Sequence, residues 1–113
     1  MTSVSPVVID EGTFKYILIK LTPPSGESRY IVRGDSSCEY HADILDTVEN
    51  SLSKCGYEVD CVGGGRICHQ SKQKTINVYG YSVGFGRADH QITVNVLAQH
   101  YSDYKITWSN EGY

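Results

Sequence analysis

A chain of 113 residues is long enough for one domain with one modest core and too short for two. Its 40% of hydrophobic and 20% of charged residues indicate a globular protein and exclude a disordered one. A net charge of −3 argues against nucleic-acid binding as the main activity, because a phosphate backbone requires a basic surface, but it leaves room for a pocket that binds a small anion.

The sequence predicts a cytoplasmic protein with no membrane attachment. It contains no apolar run of about 18 residues that would span a bilayer, and residues 1–13 carry acids and lack the apolar stretch of a signal peptide. In that compartment we expect the cysteines to be reduced and to act as packing residues. No C-x-x-C pair occurs, so we predict no metal site. The four cysteines are Cys38, Cys55, Cys61 and Cys68.

The first elements are predicted to be two paired strands. Residues 14–21 are apolar on both faces, which is typical of a central strand covered on both sides. A turn at 23–26, containing two prolines and a glycine, leads to a second strand over 30–33. The domain is expected to span 1–113, with residues 1–12 as a flexible N-terminus.

A helix is predicted next. Ser36 and Glu39 have the spacing of a capping box, the helix is expected to run to about Lys54, and Gly56 is placed to end it. Its apolar stripe recurs at helical spacing. The stripe consists of Ile44, Leu45, Val48 and Leu52.

The remaining elements indicate an α+β fold. They are, in order, a strand over 57–61 ended by three glycines at 63–65, a hairpin formed by 67–70 and 75–82, a glycine loop over 83–87, a short helix capped by Thr93, and a final strand around 106–108. The economical arrangement of these elements is an α/β sandwich, a mixed sheet of five to six strands with two flanking helices.

His41 is the residue that fits a purely structural reading least well. It lies in the middle of the apolar stripe and in the first turn of the helix. The unpaired N–H groups there can bind an anion, and the helix dipole keeps the pKa of His41 low. A neutral imidazole beside an anion site is suited to act as a general base. The alternative is a buried histidine satisfied by a backbone carbonyl.

Other polar residues give weaker signals. Lys15 interrupts an apolar strand, and Arg33 ends the neighbouring strand, so both are candidates to reach one pocket, with edge solubility or a carboxylate partner as the alternatives. The loop that begins with Ser82, Val83 and Gly84 could bind an anion through its backbone or be an ordinary turn. His90 could border the same pocket. Arg66 could serve there or pair with an acid.

Several runs, taken together and in order, resemble the small phosphohistidine phosphatases of the janus/ocnus type. The resemblance covers nearly the whole chain beyond the first dozen residues. The runs are FKYILI at 14–19, IVRG at 31–34, EYHADI at 39–44, GGGRI at 63–67, HQS at 69–71, VYGYS at 78–82, DY at 103–104, TW at 107–108 and the terminal GY.

The resemblance implies a cofactor-free hydrolase that acts on phosphohistidine-containing proteins. It implies that His41 is the catalytic base, that Lys15 binds substrate, and that Ser82, Val83 and Gly84 form the phosphate loop. Arg33, Arg66 and His90 are the candidates for supporting roles. We expect a monomer, because the sequence shows no heptad pattern or long apolar edge.

The sequence departs from the family pattern in the phosphate loop, where Val83 and Gly84 replace Met and Ala and Phe85 replaces Tyr. Backbone donors survive those changes, but the shape of the pocket need not. One alternative is therefore a catalytically weak regulatory or phosphohistidine-binding protein involved in sexual differentiation. Another is a hydrolase for a different phosphoramidate, such as phospholysine.

Overall fold

A computed structural model describes residues 4–24 and 26–110, which form a six-stranded mixed sheet with one helix on each face. The sheet order is β1-β3-β2-β4-β5-β6, with parallel pairs at both edges and antiparallel pairs between them. The predicted α+β fold is confirmed. The strands are β1 (Val7–Val8), β2 (Gly12–Thr22), β3 (Arg29–Gly34), β4 (Glu58–Gln70), β5 (Thr75–Tyr79) and β6 (Lys105–Trp108); the helices are α1 (His41–Leu52), continued by a short 3-10 turn at Ser53–Cys55, and α2 (His90–His100).

Strand β2 is the centre of the molecule, as its two apolar faces predict. It pairs with β3 on one side and with β4 on the other. Because side chains alternate along a strand, its even-numbered residues from Phe14 to Leu18 pack under α2, and its odd-numbered residues from Ile17 to Leu21 pack under α1. The two helices therefore bury separate halves of one core, and Lys15 belongs to the α1 face.

Within the N-terminal residues 1–12, which were predicted to be flexible, a strand of two residues joins the sheet, and residues 1–3 lie outside the described ranges. Val7 and Val8 pair with β3, and Val7 is buried. Two guanidinium groups hold the segment: Arg29 donates to the carbonyl of Val4 at 2.9 Å, and Arg33 donates to that of Ser5 at 2.7 Å. A strand of two residues directly after Pro6 was too short to be predicted from the sequence.

Both helices begin at residues other than the predicted ones. The Ser36 hydroxyl and N–H donate to Asp10, so α1 starts later, where the Asp43 carboxylate accepts from the Tyr40 N–H at 3.1 Å. Gly56 was predicted to end the helix, and its left-handed conformation, with φ at 84°, supports that prediction. Helix α2 is capped by Asp89, which accepts from the N–H of Gln91, and the predicted cap Thr93 lies buried in its first turn.

Strand β4 does not end at the three glycines. It runs through them to Gln70, with a bulge at Val62 that shifts its register against β2. The following strand is also shorter than predicted, since β5 ends at Tyr79 and leaves Ser82 in a loop. Across the ranges described, no helix is long and apolar enough to cross a membrane.

Candidate functional site

A cavity of about 660 Å³ opens between the start of α1, the middle of the sheet and the loop that follows β5. Six of the predicted site residues line it: Lys15, His41, Arg66, Ser82, Val83 and Gly84. The same cavity is lined by Glu39, Tyr40, Ala42, Tyr81 and Phe85. Residues far apart in sequence thus meet at one place.

Two cations stand side by side on the floor of this cavity. Lys15 on β2 and Arg66 on β4 are directly opposite each other in the antiparallel ladder, and both lie on the α1 face. The ion pair seen within the described ranges, Lys74–Asp103, lies elsewhere and does not neutralise Lys15. Lys15 therefore offers positive charge to an anion in this cavity although the whole chain is acidic.

His41 is the first residue of α1 and is only 8% exposed. Its Nε2 lies 2.9 Å from the carbonyl oxygen of Gly65. Because a carbonyl can only accept, the neutral ring carries its proton on Nε2 and keeps the lone pair on Nδ1. The predicted alternative of a backbone partner is therefore met at Nε2, and Nδ1 keeps its lone pair, as a general base would require.

The surroundings of His41 hold the ring in its neutral form. Burial lowers the pKa of His41 below its ordinary value, the hydrogen bond to Gly65 opposes this, and the charges of Lys15 and Arg66 lower the pKa further. The start of a helix also disfavours a positive charge. The nitrogen Nδ1 is therefore available as a base near neutral pH.

Gly64 explains how His41 can lie so close to the sheet. A Cβ on Gly64 would stand 2.8 Å from His41 Cδ2 and 2.8 Å from the backbone oxygen of Tyr16. A side chain at this position would push the imidazole away from its place. The glycine run that sequence reasoning interpreted as a strand end is instead the surface on which His41 packs.

The loop after β5 is a tight turn closed by Ser82 and Gly86. Their backbones exchange hydrogen bonds of 3.1 and 2.8 Å, and the buried Ser82 hydroxyl accepts from the N–H of Phe85 at 3.1 Å. Within the described part of the chain, the N–H groups of Val83 and Gly84 meet no acceptor. These two N–H groups can bind an anion in the cavity.

His90 does not line the cavity but supports it from beneath. Its Nε2 donates to the carbonyl of Gly80 at 2.8 Å, and its Nδ1 lies 2.6 Å from the hydroxyl of Tyr16, which also bonds Thr93 at 2.9 Å. Since Gly80 leads directly into Tyr81 and Ser82, this buried network fixes the start of the loop. The ring is neutral here too, because burial lowers the pKa of His90.

Arg33, the other candidate for a supporting role, is not brought to the cavity. Its guanidinium donates to the carbonyls of Val32 and Ser5 and so holds the N-terminal segment. Burial lowers the pKa of Arg33 to about 10. Its position favours a structural role.

Sequence reasoning placed Phe85 in the loop but did not single out the two tyrosines that line the cavity, Tyr40 and Tyr81. Tyr40 and Tyr81 are 62% and 40% exposed, and Phe85 is half-buried. Tyrosines are frequent in this chain, so composition could not single these two out. The signal that could have found them is their adjacency to His41 and Ser82 in sequence.

The assembled site places cationic side chains and loop N–H groups beside a neutral imidazole. Lys15, Arg66 and two loop N–H groups can hold oxygens of a phosphoryl group, and His41 can accept a proton. Over the ranges that the structure covers, no three His, Cys, Asp or Glu side chains cluster as a metal site would require. Such a constellation suits hydrolysis of a phosphoryl compound.

Comparison with known proteins points to the same chemistry. The model of the Janus/Ocnus family matches residues 1–105. The chain is 48% identical to the 14 kDa phosphohistidine phosphatase of Sus scrofa, over 100% of this chain and 95% of that protein. It is 47% identical to the 14 kDa phosphohistidine phosphatase of Homo sapiens, over 91% and 87%. It is also 48% identical to the sex-regulated protein janus-A of Drosophila yakuba, over 91% and 76%.

Proposed function

Because the chain belongs to the Janus/Ocnus family, we propose that it is a protein phosphohistidine phosphatase in which His41 is the general base. The observation that carries the proposal is the hydrogen bond of 2.9 Å from His41 Nε2 to the Gly65 carbonyl. This bond leaves Nδ1 as the basic nitrogen of a residue that lines a cationic cavity.

Binding of the phosphoryl group uses charge and backbone donors together. Lys15 pairs with one phosphoryl oxygen, and the N–H groups of Val83 and Gly84 bind the others. Ser82 shapes the loop through its bond to Phe85, so its role is to position these donors. Arg66, beside Lys15, adds to the positive field.

Hydrolysis then proceeds by direct attack of water. His41 Nδ1 takes a proton as the water oxygen bonds to phosphorus, the P–N bond breaks, and protonated His41 returns that proton through solvent to the leaving imidazole nitrogen. The products are phosphate and histidine. Positioning and charge stabilisation supply most of the catalysis, since the P–N bond is labile. The step uses no metal and no cofactor, and the chain acts as a monomer on phosphohistidine-containing proteins.

The test is phosphate release from a phosphohistidine peptide, with and without EDTA. We expect His41→Ala to lower kcat/KM by about 10²–10⁴-fold, the usual contribution of a general base. His100→Ala is the matched control, because His100 is exposed in the last turn of α2 and lies outside the cavity. Equal rates for wild type and His41→Ala, or loss of activity in EDTA, would contradict the proposal.

A second candidate is a phosphohistidine-binding regulator without turnover, acting in sexual differentiation. It is favoured by the similarity to the sex-regulated protein janus-A and by the departures from the family pattern at Val83 and Gly84. This candidate predicts that wild type and His100→Ala bind the phosphohistidine peptide but release no phosphate from it.

A further inference from the structure

Three of the large hydrophobic side chains exposed in the described chain surround the mouth of one cavity. They are Tyr40, Tyr81 and Val83, with exposed fractions of 62%, 40% and 87%. We call them the apolar rim. Only three others, Val8, Val62 and Trp108, are equally exposed within the described residues, and none of them lines the cavity. Half of the exposed large hydrophobics therefore lie at a single site.

Local structure does not account for two of these apolar side chains, Tyr40 and Val83. Tyr40 occupies the N-cap of α1, a position that favours Ser, Thr, Asp or Asn, and the bond at this helix start comes from the Asp43 carboxylate instead. Val83 stands at the tip of a tight turn, where small polar residues are common. Exposed apolar groups clustered in this way mark a binding surface.

The charged and the apolar residues of the cavity lie in different places, and this separation indicates which part of a ligand each of them binds. Lys15 and Arg66 lie on the floor with His41, whereas the rim above them is apolar. A phosphoryl group held by the floor places the polypeptide that carries it across the rim. The residues next to the phosphohistidine in sequence are then the parts of the polypeptide that come nearest to the rim, since neighbouring Cα atoms are about 3.8 Å apart.

Resting on the proposed phosphatase function, we propose that the apolar rim binds the substrate polypeptide beside the phosphohistidine and selects sites flanked by apolar or aromatic residues. Burying these neighbours against the rim removes apolar surface from water in the bound complex. The rim thus determines which phosphohistidine proteins are hydrolysed, while the floor determines that a phosphoryl group is bound.

Two phosphohistidine peptides of equal length and equal net charge test this inference. One carries Leu and Phe on either side of the phosphohistidine, and the other carries Ser and Gln. We expect wild type to show about a tenfold higher kcat/KM on the apolar peptide, a difference of about 1.4 kcal/mol. Equal net charge removes any contribution of Glu39, the acidic residue that also lines the cavity.

Tyr40→Ser is the matched variant, because Ser is a favourable N-cap and preserves the start of α1. We expect it to lower the ratio of the two kcat/KM values several-fold, and the double change Tyr40→Ser with Val83→Ser to bring the ratio close to one. Val8→Ser is the control, since Val8 is 52% exposed on the edge strand β1 and should leave the ratio unchanged.

The ratio of the two kcat/KM values distinguishes loss of the rim from loss of the fold and from loss of the phosphatase function. A wild-type ratio near one, or a ratio that survives the double change, overturns the role of the rim and leaves the phosphatase function standing. A variant that fails to fold loses activity on both peptides in equal proportion, whereas loss of the rim lowers the ratio of the two kcat/KM values. If wild type hydrolyses neither peptide, the proposed function fails and this inference fails with it.

Discussion

At the scale of single residues, the proposed chemistry depends on which nitrogen of His41 carries the proton. The Gly65 carbonyl determines this, because it accepts from Nε2 and leaves Nδ1 basic. Burial and the nearby cations Lys15 and Arg66 then keep the ring neutral. Neither effect requires a carboxylate partner, which distinguishes this site from a triad in which an acid orients the histidine.

The lowered pKa of His41 predicts the pH dependence of catalysis. A general base works in its neutral form, so kcat/KM should rise with pH and level off, with a midpoint below the ordinary histidine value of 6.5. A pH–rate profile, corrected for spontaneous hydrolysis, measures this. The residual activity of His41→Ala should lack the inflection. A midpoint above 6.5 would show that the surroundings stabilise the charged ring instead.

The residue types in the sequence indicated the candidate site, but they did not predict the contacts within it. His41 and Lys15 each interrupt an apolar pattern, and that contrast singles them out in the sequence. The hydrogen bond to Gly65 joins residues 24 positions apart, so no local pattern reveals it. Arg33 looked equivalent to Lys15, yet its guanidinium is held by the backbone of the N-terminal segment.

At the scale of elements, close packing of β4 against α1 and the loop positions the base. Gly63 adopts φ of 143° where the backbone of Ala88 approaches, and Gly64 leaves space for the His41 ring. Hydrogen bonds from Gly64 N–H to the Gly86 carbonyl, and from Ala88 N–H to the Gly64 carbonyl, tie the loop to the same strand. One short segment of strand therefore supports both the base and the anion-binding loop.

Gly64→Ala should disturb this arrangement, and Gly84→Ala provides a matched comparison. The new methyl of Gly64→Ala would meet His41 Cδ2 and the Tyr16 oxygen at 2.8 Å, so we expect a loss of about 1–3 kcal/mol in the free energy of unfolding. A methyl at Gly84 meets nothing within 4 Å and should change stability by less than about 0.5 kcal/mol. Urea unfolding measures both; equal losses would contradict the packing argument.

Element types were easier to predict than element ends. The apolar residues on both faces of β2 predict a strand, because both faces are buried in the core. The apolar stripe of α1 predicts a helix, because only that face is buried. The start of α1 was wrong because Asp10, more than 20 residues away along the chain, takes the Ser36 hydroxyl and N–H. Where a helix begins therefore depends on hydrogen-bond partners distant in sequence, and the local spacing of residues does not reveal those partners.

At the scale of the whole molecule, two neutral histidines are buried on opposite sides of the sheet. His41 lies with α1 and His90 with α2, and burial lowers the pKa of each. The unfolded chain binds protons near 6.5, whereas the folded protein binds them only at lower pH. Below 6.5 the unfolded state therefore holds more protons, and stability falls as the pH falls toward the folded values.

We therefore expect the free energy of unfolding to be lower at about pH 5.5 than at about pH 7.5. The acids with lowered pKa values, Glu11, Asp35 and Asp103, have ordinary values near 4 and contribute only at lower pH. Urea unfolding at the two pH values measures the difference. An equal free energy of unfolding at both pH values, or a greater one at the lower pH, would show that folding does not lower the pKa values of His41 and His90.

The central claim is that His41 removes a proton from water and does not itself take the phosphoryl group. A single-turnover reaction with a radiolabelled phosphohistidine peptide, quenched in alkali to preserve P–N bonds, tests it most directly. The account predicts that label passes from peptide to free phosphate with none on the protein at any time. Label that appears on the wild type and is absent from His41→Ala would make His41 a nucleophile and contradict the mechanism.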